Sequence, residues 1–395
     1  MSTMQSQACL KKQGSLKMES LHHYVVERIM ERLPAKSLAR FKVVAKAWKS
    51  TIESRYFQEK QLRNRQLSGD PDVLMVSIKP HDDDDDSNLE SLRTLVLGSS
   101  SSVKIPTLWE GISYSVCHST CDGIVCLYHH FEPGLVINPT TRWYRPLPLC
   151  HFQQLIHDLG ESYDPADHSC FNLGFGKDKF TGTYKPVWLY NTGMIGFDQN
   201  TTCEVFDLST DTWRYVTPAA YRIVAITDPV FVHGSLHWFT QCEETKVLSF
   251  DLHTEVFQVV AKAPFAANPE HLNIVMCNLD NRLCVSEMKW PCQKIWSFHS
   301  SNKTWDTIYT LDLDFAYFWH NIPTGGTRRR AILPLALLDA ETKKKKKKKK
   351  KLLFFDRLVS RGLFTHELGT LSYEAAFSAT SIGYPVCYFP SLFSI

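Results

Sequence analysis

The chain has 395 residues, 44% of them apolar, 22% charged and 12% aromatic. This suits a globular protein of two or three domains, or one large β domain, and excludes a chain too polar to bury a core. Nine consecutive lysines, Lys343 to Lys351, more than account for the formal net charge of +3, so the rest is mildly acidic and has no general basic field for nucleic acid.

Residues 1–18 are polar and unpatterned, which predicts disorder. Lys11 and Lys12 are not followed by an apolar run, so no secretory signal is expected, and the nucleus or cytoplasm is the expected location. A helical stretch is predicted from Leu21 to Arg65. Val25, Ile29 and Leu33 recur every four residues as one stripe. Pro34 ends that helix, and Ser37 is placed to cap a second. Leu38, Phe41, Ala45, Trp48 and Ile52 then share one side, with a break near Lys46, while Lys36, Arg40, Lys42 and Lys49 take other faces. A unit of about 45 residues is near the lower limit for independent folding, so it should lean on a partner or a neighbouring domain.

Ser68-Gly69-Asp70-Pro71 reads as a turn and a boundary. Val73 to Ile78 is strand-like. Asp82 to Asp86 and Ser99 to Ser102 read as exposed loops, and consecutive aspartates lack the alternating spacing of a calcium loop. From about residue 115 a phrase recurs: apolar run, polar turn, aromatic, second short strand. Glu204 to Trp213, Leu248 to Phe257 and Trp296 to Trp305 are full copies, and Val136 to Trp143 is a shortened one. Each reads as a hairpin. Phe206, Phe250 and Phe298 are 44 and 48 residues apart. Other hairpin signals lie between them, at Phe231 to Trp238 and Leu279 to Val285. Two hairpins per period in the mid-forties is what a four-stranded propeller blade requires. The plentiful aromatics, 10 Trp, 15 Tyr and 23 Phe, fit the pleated surface of strands. Drift in the period leaves a β-sandwich open. Toward the end, Leu352 to Asp356 and Gly362 to Glu367 could be strands of a last blade. The lysine run should be an exposed, unstructured insert, because its charges repel. Ala331 to Leu338 is too short to cross a membrane and contains Pro334.

Leu33-Pro34-Ala35-Lys36-Ser37-Leu38, continuing through Phe41, Val44 and Trp48 to Ile52 with Phe57 and Leu62 beyond, resembles a plant F-box. Cys121 to Leu127 and Asn138-Pro139-Thr140-Thr141-Arg142 are similar to the F-box-associated interaction domain that follows it, a kelch-like or propeller-like module. The resemblance implies an α+β multidomain protein: a small all-helical F-box at 19–66, then an all-β, propeller-like domain at 71–395 with the polylysine segment 343–351 inserted. It implies a non-enzymatic substrate receptor of a ubiquitin ligase, bridging a Skp-type adaptor, and through it a cullin–RING ligase, to an unknown protein target. Adaptor contact would fall on Leu21, Val25, Ile29, Leu33, Pro34, Leu38, Val44 and Trp48, apolar anchors of a helix-in-groove interface. Those residues could instead serve only the local helical core. The match departs from the family where it begins: Leu21-His22-His23-Tyr24 replaces the usual Leu-Pro-x-acid, and Arg28 sits where an acid is common. The alternative is a degenerate F-box protein that is only an interaction module.

No catalytic residue, cofactor, metal or membrane contact is expected. Cys117, Cys121 and Cys126, with His118, His129 and His130 nearby, lack paired zinc-ligand spacing, and Cys121-Asp122-Gly123 reads as a hairpin turn. The 12 cysteines are spread singly and read as reduced thiols. His22-His23 reads as a helix start. Gly174-Phe175-Gly176 lacks the third glycine of a dinucleotide loop. Nucleic-acid binding through the lysine run is disfavoured, since aromatics and arginines are not interleaved with it.

Overall fold

The computed structural model describes residues 23–79, 89–159, 171–191, 201–314, 330–339, 350–356, 362–370, 372–377 and 382–395. The segment expected to be disordered, Leu21, His22, Asp82 to Asp86 and Lys343 to Lys349 lie outside them.

Among the described residues, four helices come first: α1 (His23–Met30), α2 (Ala35–Phe41), α3 (Lys46–Glu53) and α4 (Arg55–Ser68). The expected break near Lys46 separates α2 from α3. Ser37 is not the cap of α2. It is the third helical residue, and Pro34 holds the cap position at φ −58° and ψ 140°. Proline's ring fixes φ there, and its carbonyl accepts from Ser37 N at 2.9 Å and Leu38 N at 3.1 Å. α4 has a side-chain cap, with Ser54 Oγ accepting from Phe57 N at 3.3 Å.

Among the described residues, twenty-four strands then form six four-stranded antiparallel sheets. The first blade holds β1 (Asp72–Ile78), β2 (Glu90–Leu95) and β3 (Val103–Lys104). The second is β4 (Ser115–Val116), β5 (Val125–Tyr128), β6 (Leu135–Asn138) and β7 (Trp143–Pro146). After helix α5 (His151–Leu159), the third is β8 (Phe171–Lys177), β9 (Tyr184–Asn191), β10 (Thr201–Asp207) and β11 (Thr212–Ala219). The fourth is β12 (Val230–Val232), β13 (Ser235–Phe239), β14 (Lys246–Asp251) and β15 (Phe257–Lys262). The fifth is β16 (Ile274–Leu279), β17 (Arg282–Lys289), β18 (Cys292–His299) and β19 (Thr304–Asp312). The sixth is β20 (Leu333–Asp339), β21 (Lys350–Phe355), β22 (Leu363–Glu367) and β23 (Tyr373–Phe377). The last strand, β24 (Tyr384–Tyr388), returns to the first blade and pairs with β1, Val73 opposite Cys387 and Met75 opposite Pro385. This closes a six-bladed propeller. The sandwich alternative is thereby excluded.

The recurring phrase is the outer hairpin of blades two to five. Its aromatics face each other across the ladder: Phe206 with Trp213 at 5.1 Å, Phe250 with Phe257 at 4.6 Å, Phe298 with Trp305 at 4.9 Å between ring centroids. Such pairs stabilise a sheet by roughly 0.2–1 kcal/mol each. In blades two to four the turn beside them opens in the same way, while blade five has His299 at that position. Asn138, Asp207 and Asp251 accept backbone N–H bonds from Thr140, Ser209 and His253 at 2.8–2.9 Å. Arg142, Asp211, Glu255 and Lys303 then take positive φ, between 54° and 62°. A short acceptor that bonds its own backbone two residues on is why Asx residues open these turns. The inner hairpins of blades two, four and five use two-residue turns with both residues at positive φ: Asp122-Gly123, His233-Gly234 and Asp280-Asn281.

The core lies in the seams between blades. Alternation along β1 shows how: Val73 and Met75 join Leu333 and Leu353 of blade six, while Leu74 and Val76 join Val125 and Leu135 of blade two. Gly174 and Gly176 are packing residues. A Cβ at Gly174 would stand 2.8 Å from Leu236, and one at Gly176 would collide with Phe231, so their absence lets blades three and four approach. Pro334 and Pro385 sit in innermost strands, each an edge strand with one side unpaired, where a missing N–H costs little.

Helix α5 was not expected. Phe152 and Ile156 plug the seam between blades two and three. Its first turn is held by the buried Glu204, whose carboxylate accepts from His151 N at 3.0 Å, Phe152 N at 2.9 Å and Tyr190 OH at 3.0 Å. The lysine run is also not wholly an insert. Lys350 and Lys351 open β21, because acids on neighbouring elements offset their charge: Asp280 is 3.0 Å from Lys350, and Glu374 is 2.8 Å from Lys351.

One buried group predicts acid lability. His237 is buried in β13, with Nδ1 donating to the Val230 carbonyl at 3.2 Å. Burial depresses its pKa from 6.5 to about 4. The folded state therefore holds it neutral, while the unfolded chain binds a proton as pH falls below 6.5. Stability is full above that value and declines toward pH 4, by on the order of 3 kcal/mol. Denaturant unfolding at about pH 7 and about pH 4.5 should show a smaller loss for His237→Gln than for the wild type.

Candidate functional site

The helical unit buries Met30, Ala35, Leu38, Ile52 and Phe57, with Val26, Leu33, Phe41 and Trp48 packed around them. Polar ties hold the loops to α4. Gln61 Nε2 donates to the Leu33 carbonyl at 3.1 Å, and Lys60 reaches the buried Glu31 carboxylate at 2.6 Å. The residues that depart from the family pattern satisfy one another. Arg28 Nε donates to Tyr24 OH at 3.0 Å, its guanidinium lies over the Tyr24 ring at 5.2 Å, and it pairs with Glu31 at 3.3 Å.

The expected contact residues divide into groups. Val25 and Ile29 are 41% and 49% exposed, Val44 is 60% exposed, and Pro34 is exposed as well. Leu33 and Trp48 are half-buried. Leu38 is 0% exposed and belongs to the core, so direct partner contact does not apply to it in this conformation. Leu21 is outside the described residues. α1 is apolar on two sides: Val26 and Met30 face inward, Val25 and Ile29 outward. Val43, at 90% exposure, is a further exposed apolar residue that the spacing did not single out. It precedes Val44 in the link between α2 and α3, where helical periodicity gives no signal.

The helical core is completed by the far end of the chain. Leu392 lies in the helical cluster at 2% exposure, while Phe393 packs with Leu62 of α4 in the seam between blades two and three. Arg55 lies over the Phe393 ring at 4.6 Å, and Arg65 over Phe389 at 5.7 Å. Asn138 fixes this tail. Its Nδ2 donates to Ser391 O at 3.2 Å, Ser391 Oγ at 3.1 Å and Phe393 O at 2.8 Å, while its Oδ1 holds the turn described above. Gly123 admits the tail, since a Cβ there would collide with the Phe389 carbonyl. The expectation that the small helical unit leans on a neighbour is met by these residues.

The helices sit on the propeller face where the innermost strands end. A cavity of about 770 Å³ lies there, bounded by Gln66 and Leu67 of α4 and by the inner turns. On the opposite face, where those strands begin, a second cavity of about 490 Å³ opens at the channel mouth, lined in part by Lys79, His118, Asp228, Arg330 and Tyr384. Cys117, Cys121 and Cys126 are packed in the seams. Burial pushes the Cys117 thiol up to about 12 and raises those of Cys121 and Cys126 well above their ordinary value, which opposes the thiolate a metal needs. Cys121 closes the predicted hairpin turn, bridged to Ile124. Among the described residues no three metal-ligating side chains converge.

Asn138→Asp tests the tail anchor. It keeps the turn acceptor but sets a carboxylate against buried carbonyl oxygens. Unfolding should become easier by about 2–4 kcal/mol, with Asn138→Ala intermediate, measured by denaturant titration.

The family described as the F-box associated beta propeller domain matches residues 73–395, and the F-box domain matches residues 18–60. An F-box/LRR-repeat/kelch-repeat protein of Arabidopsis thaliana is 60% identical over 98% of this chain and 99% of its own length. Two F-box proteins of the same plant are 47% and 46% identical, covering 95% and 96% of this chain and 85% and 100% of their own lengths. The chain belongs to the F-box proteins that carry an F-box-associated β-propeller.

Proposed function

We propose that this protein is the substrate-recognition subunit of an SCF-type ubiquitin ligase. The F-box helices bind a Skp-type adaptor, which links the protein to a cullin and a RING subunit, and the propeller holds the target. The chain's contribution is proximity: it brings a target lysine near a charged ubiquitin carrier, and no residue of this chain needs to take part in bond-making.

The observation that carries this reading is the outward apolar set on the F-box. Val25, Ile29 and Val44 are not used by the helical core, which closes over Leu38, Ile52, Phe57 and Leu392. Exposed apolar side chains grouped on a small domain mark an interaction surface, and helices that present them fit a helical or grooved partner. The adaptor contact is assigned to Val25, Ile29 and Val44, with Pro34 and the exposed parts of Leu33 and Trp48 around them. Leu38 supports the surface from beneath. The local pairing of Tyr24, Arg28 and Glu31 supports an intact first helix despite its unusual opening.

The test is a pull-down of purified Skp-type adaptor by full-length protein and by Val25→Asp/Ile29→Asp. Both side chains are outside the core, so thermal unfolding should be unchanged while affinity falls at least about tenfold, or roughly 1.4 kcal/mol. Equal binding by both proteins would remove the assigned surface. Failure of the folded wild type to bind would favour the interaction-module reading instead.

A further inference from the structure

We propose that Cys277 and Cys284 form a site of reversible covalent modification, joined as a disulfide by hydrogen peroxide that enters through the cavity beneath α4. This goes beyond the proposed function and does not rest on it.

The inner hairpin of blade five places the two residues. Cys277 of β16 and Cys284 of β17 stand directly opposite each other in the ladder, and both face the seam with blade six. Pair types alternate outward from the two-residue turn Asp280-Asn281. Leu279 with Arg282 closes that turn as a hydrogen-bonded pair, so Cys277 with Cys284, two steps on, is of the same kind. Cα atoms in such a pair stand about 5.5 Å apart, within the range that a disulfide spans. Both thiols are free in this structure, and each is the strongest influence on the other.

Their surroundings divide the roles. Cys277 lines the cavity of about 770 Å³ and is 4% exposed, while Cys284 lies behind it with no accessible surface. Ser297 of β18 faces Cys284 from the other side, and its buried hydroxyl has no nitrogen or oxygen partner among the described residues. The Cys277 thiol and then this hydroxyl stabilise the Cys284 thiolate and hold its pKa below the ordinary value, against the effect of burial. Cys117 and Cys126 supply a contrast. They also lie across a ladder, Cys117 N donating to the Cys126 carbonyl at 2.9 Å, but burial holds both thiols up and neither lines the cavity.

The reaction starts at the sulfur that peroxide can reach. The Cys284 thiolate takes the proton of Cys277. The Cys277 thiolate attacks one peroxide oxygen, the O–O bond breaks, and the departing hydroxide takes the proton from Cys284 to leave as water. Cys284 then attacks the sulfur of the Cys277 sulfenic acid and expels hydroxide, which takes up the proton that Cys284 lost on ionising. Two thiols and one peroxide become one disulfide and two waters.

The test exposes the folded full-length protein to hydrogen peroxide, blocks free thiols in denaturant, and identifies linked peptides by mass spectrometry. Cys277 should be found joined to Cys284, and dithiothreitol should restore both thiols. Ser297→Ala should slow the linkage severalfold while thermal unfolding of the reduced protein stays unchanged. Cys117 and Cys126 should remain free. The proposal is overturned if Cys277 and Cys284 stay free after the more exposed Cys292 has been oxidised. Linkage no faster than at Cys117 and Cys126, or a rate untouched by Ser297→Ala, would overturn it as well.

Discussion

The structure depends on what the last dozen residues do. β24 supplies the innermost strand of the first blade and so joins the two ends of a chain that would otherwise leave an open ring with two exposed edges. The residues after it then cross to the helices, where Leu392 enters the F-box core and Phe393 lies under Arg55. A helical unit of this size buries too little apolar surface to be secure alone. Here it borrows a core residue from the propeller's end. Ring closure and F-box packing are therefore consequences of one short segment, held by one asparagine, Asn138.

This arrangement fixes a geometry with functional meaning. The F-box lies on the face where the innermost strands end, and the second cavity opens on the face where they begin. α4 runs into the linker, where Arg65 donates to the Asp70 carbonyl at 2.7 Å and pairs with Asp72 of β1 at 3.3 Å. Together with the tail, these contacts hold the F-box to the propeller at two points. In the proposed ligase, such coupling would keep a target on the propeller at a set distance from the adaptor, which is what catalysis by proximity requires.

Much of this was legible in the sequence where the information is local. The outer hairpins carry polar turns and aromatic pairs a few residues apart, so Phe206, Phe250 and Phe298 exposed the blade period directly. The F-box segment was readable from spacing around Leu33, Pro34 and Trp48. What could not be read depends on distant partners. β24 looks unlike a strand in isolation, with Pro385 within it and Pro390 beyond, and its partner β1 lies near the other end of the chain. Helix α5 needs Glu204, more than forty residues later, to hold its first turn. The proposed adaptor surface was only half legible for a related reason. Apolar spacing reports which residues share a helix face, not which face meets the core, and α1 is apolar on both. Val25 and Leu38 therefore looked alike in sequence, yet one is exposed and the other has no accessible surface.

The central claim, that the tail completes the F-box, is tested most directly by hydrogen exchange on the full chain and on a chain ending at Tyr388, which retains β24. The account predicts that α2, α3 and α4 lose protection in the shortened protein while blades three to five keep theirs. Unchanged protection of those helices would contradict it, and the F-box would then have to be regarded as folding independently of the propeller that carries it.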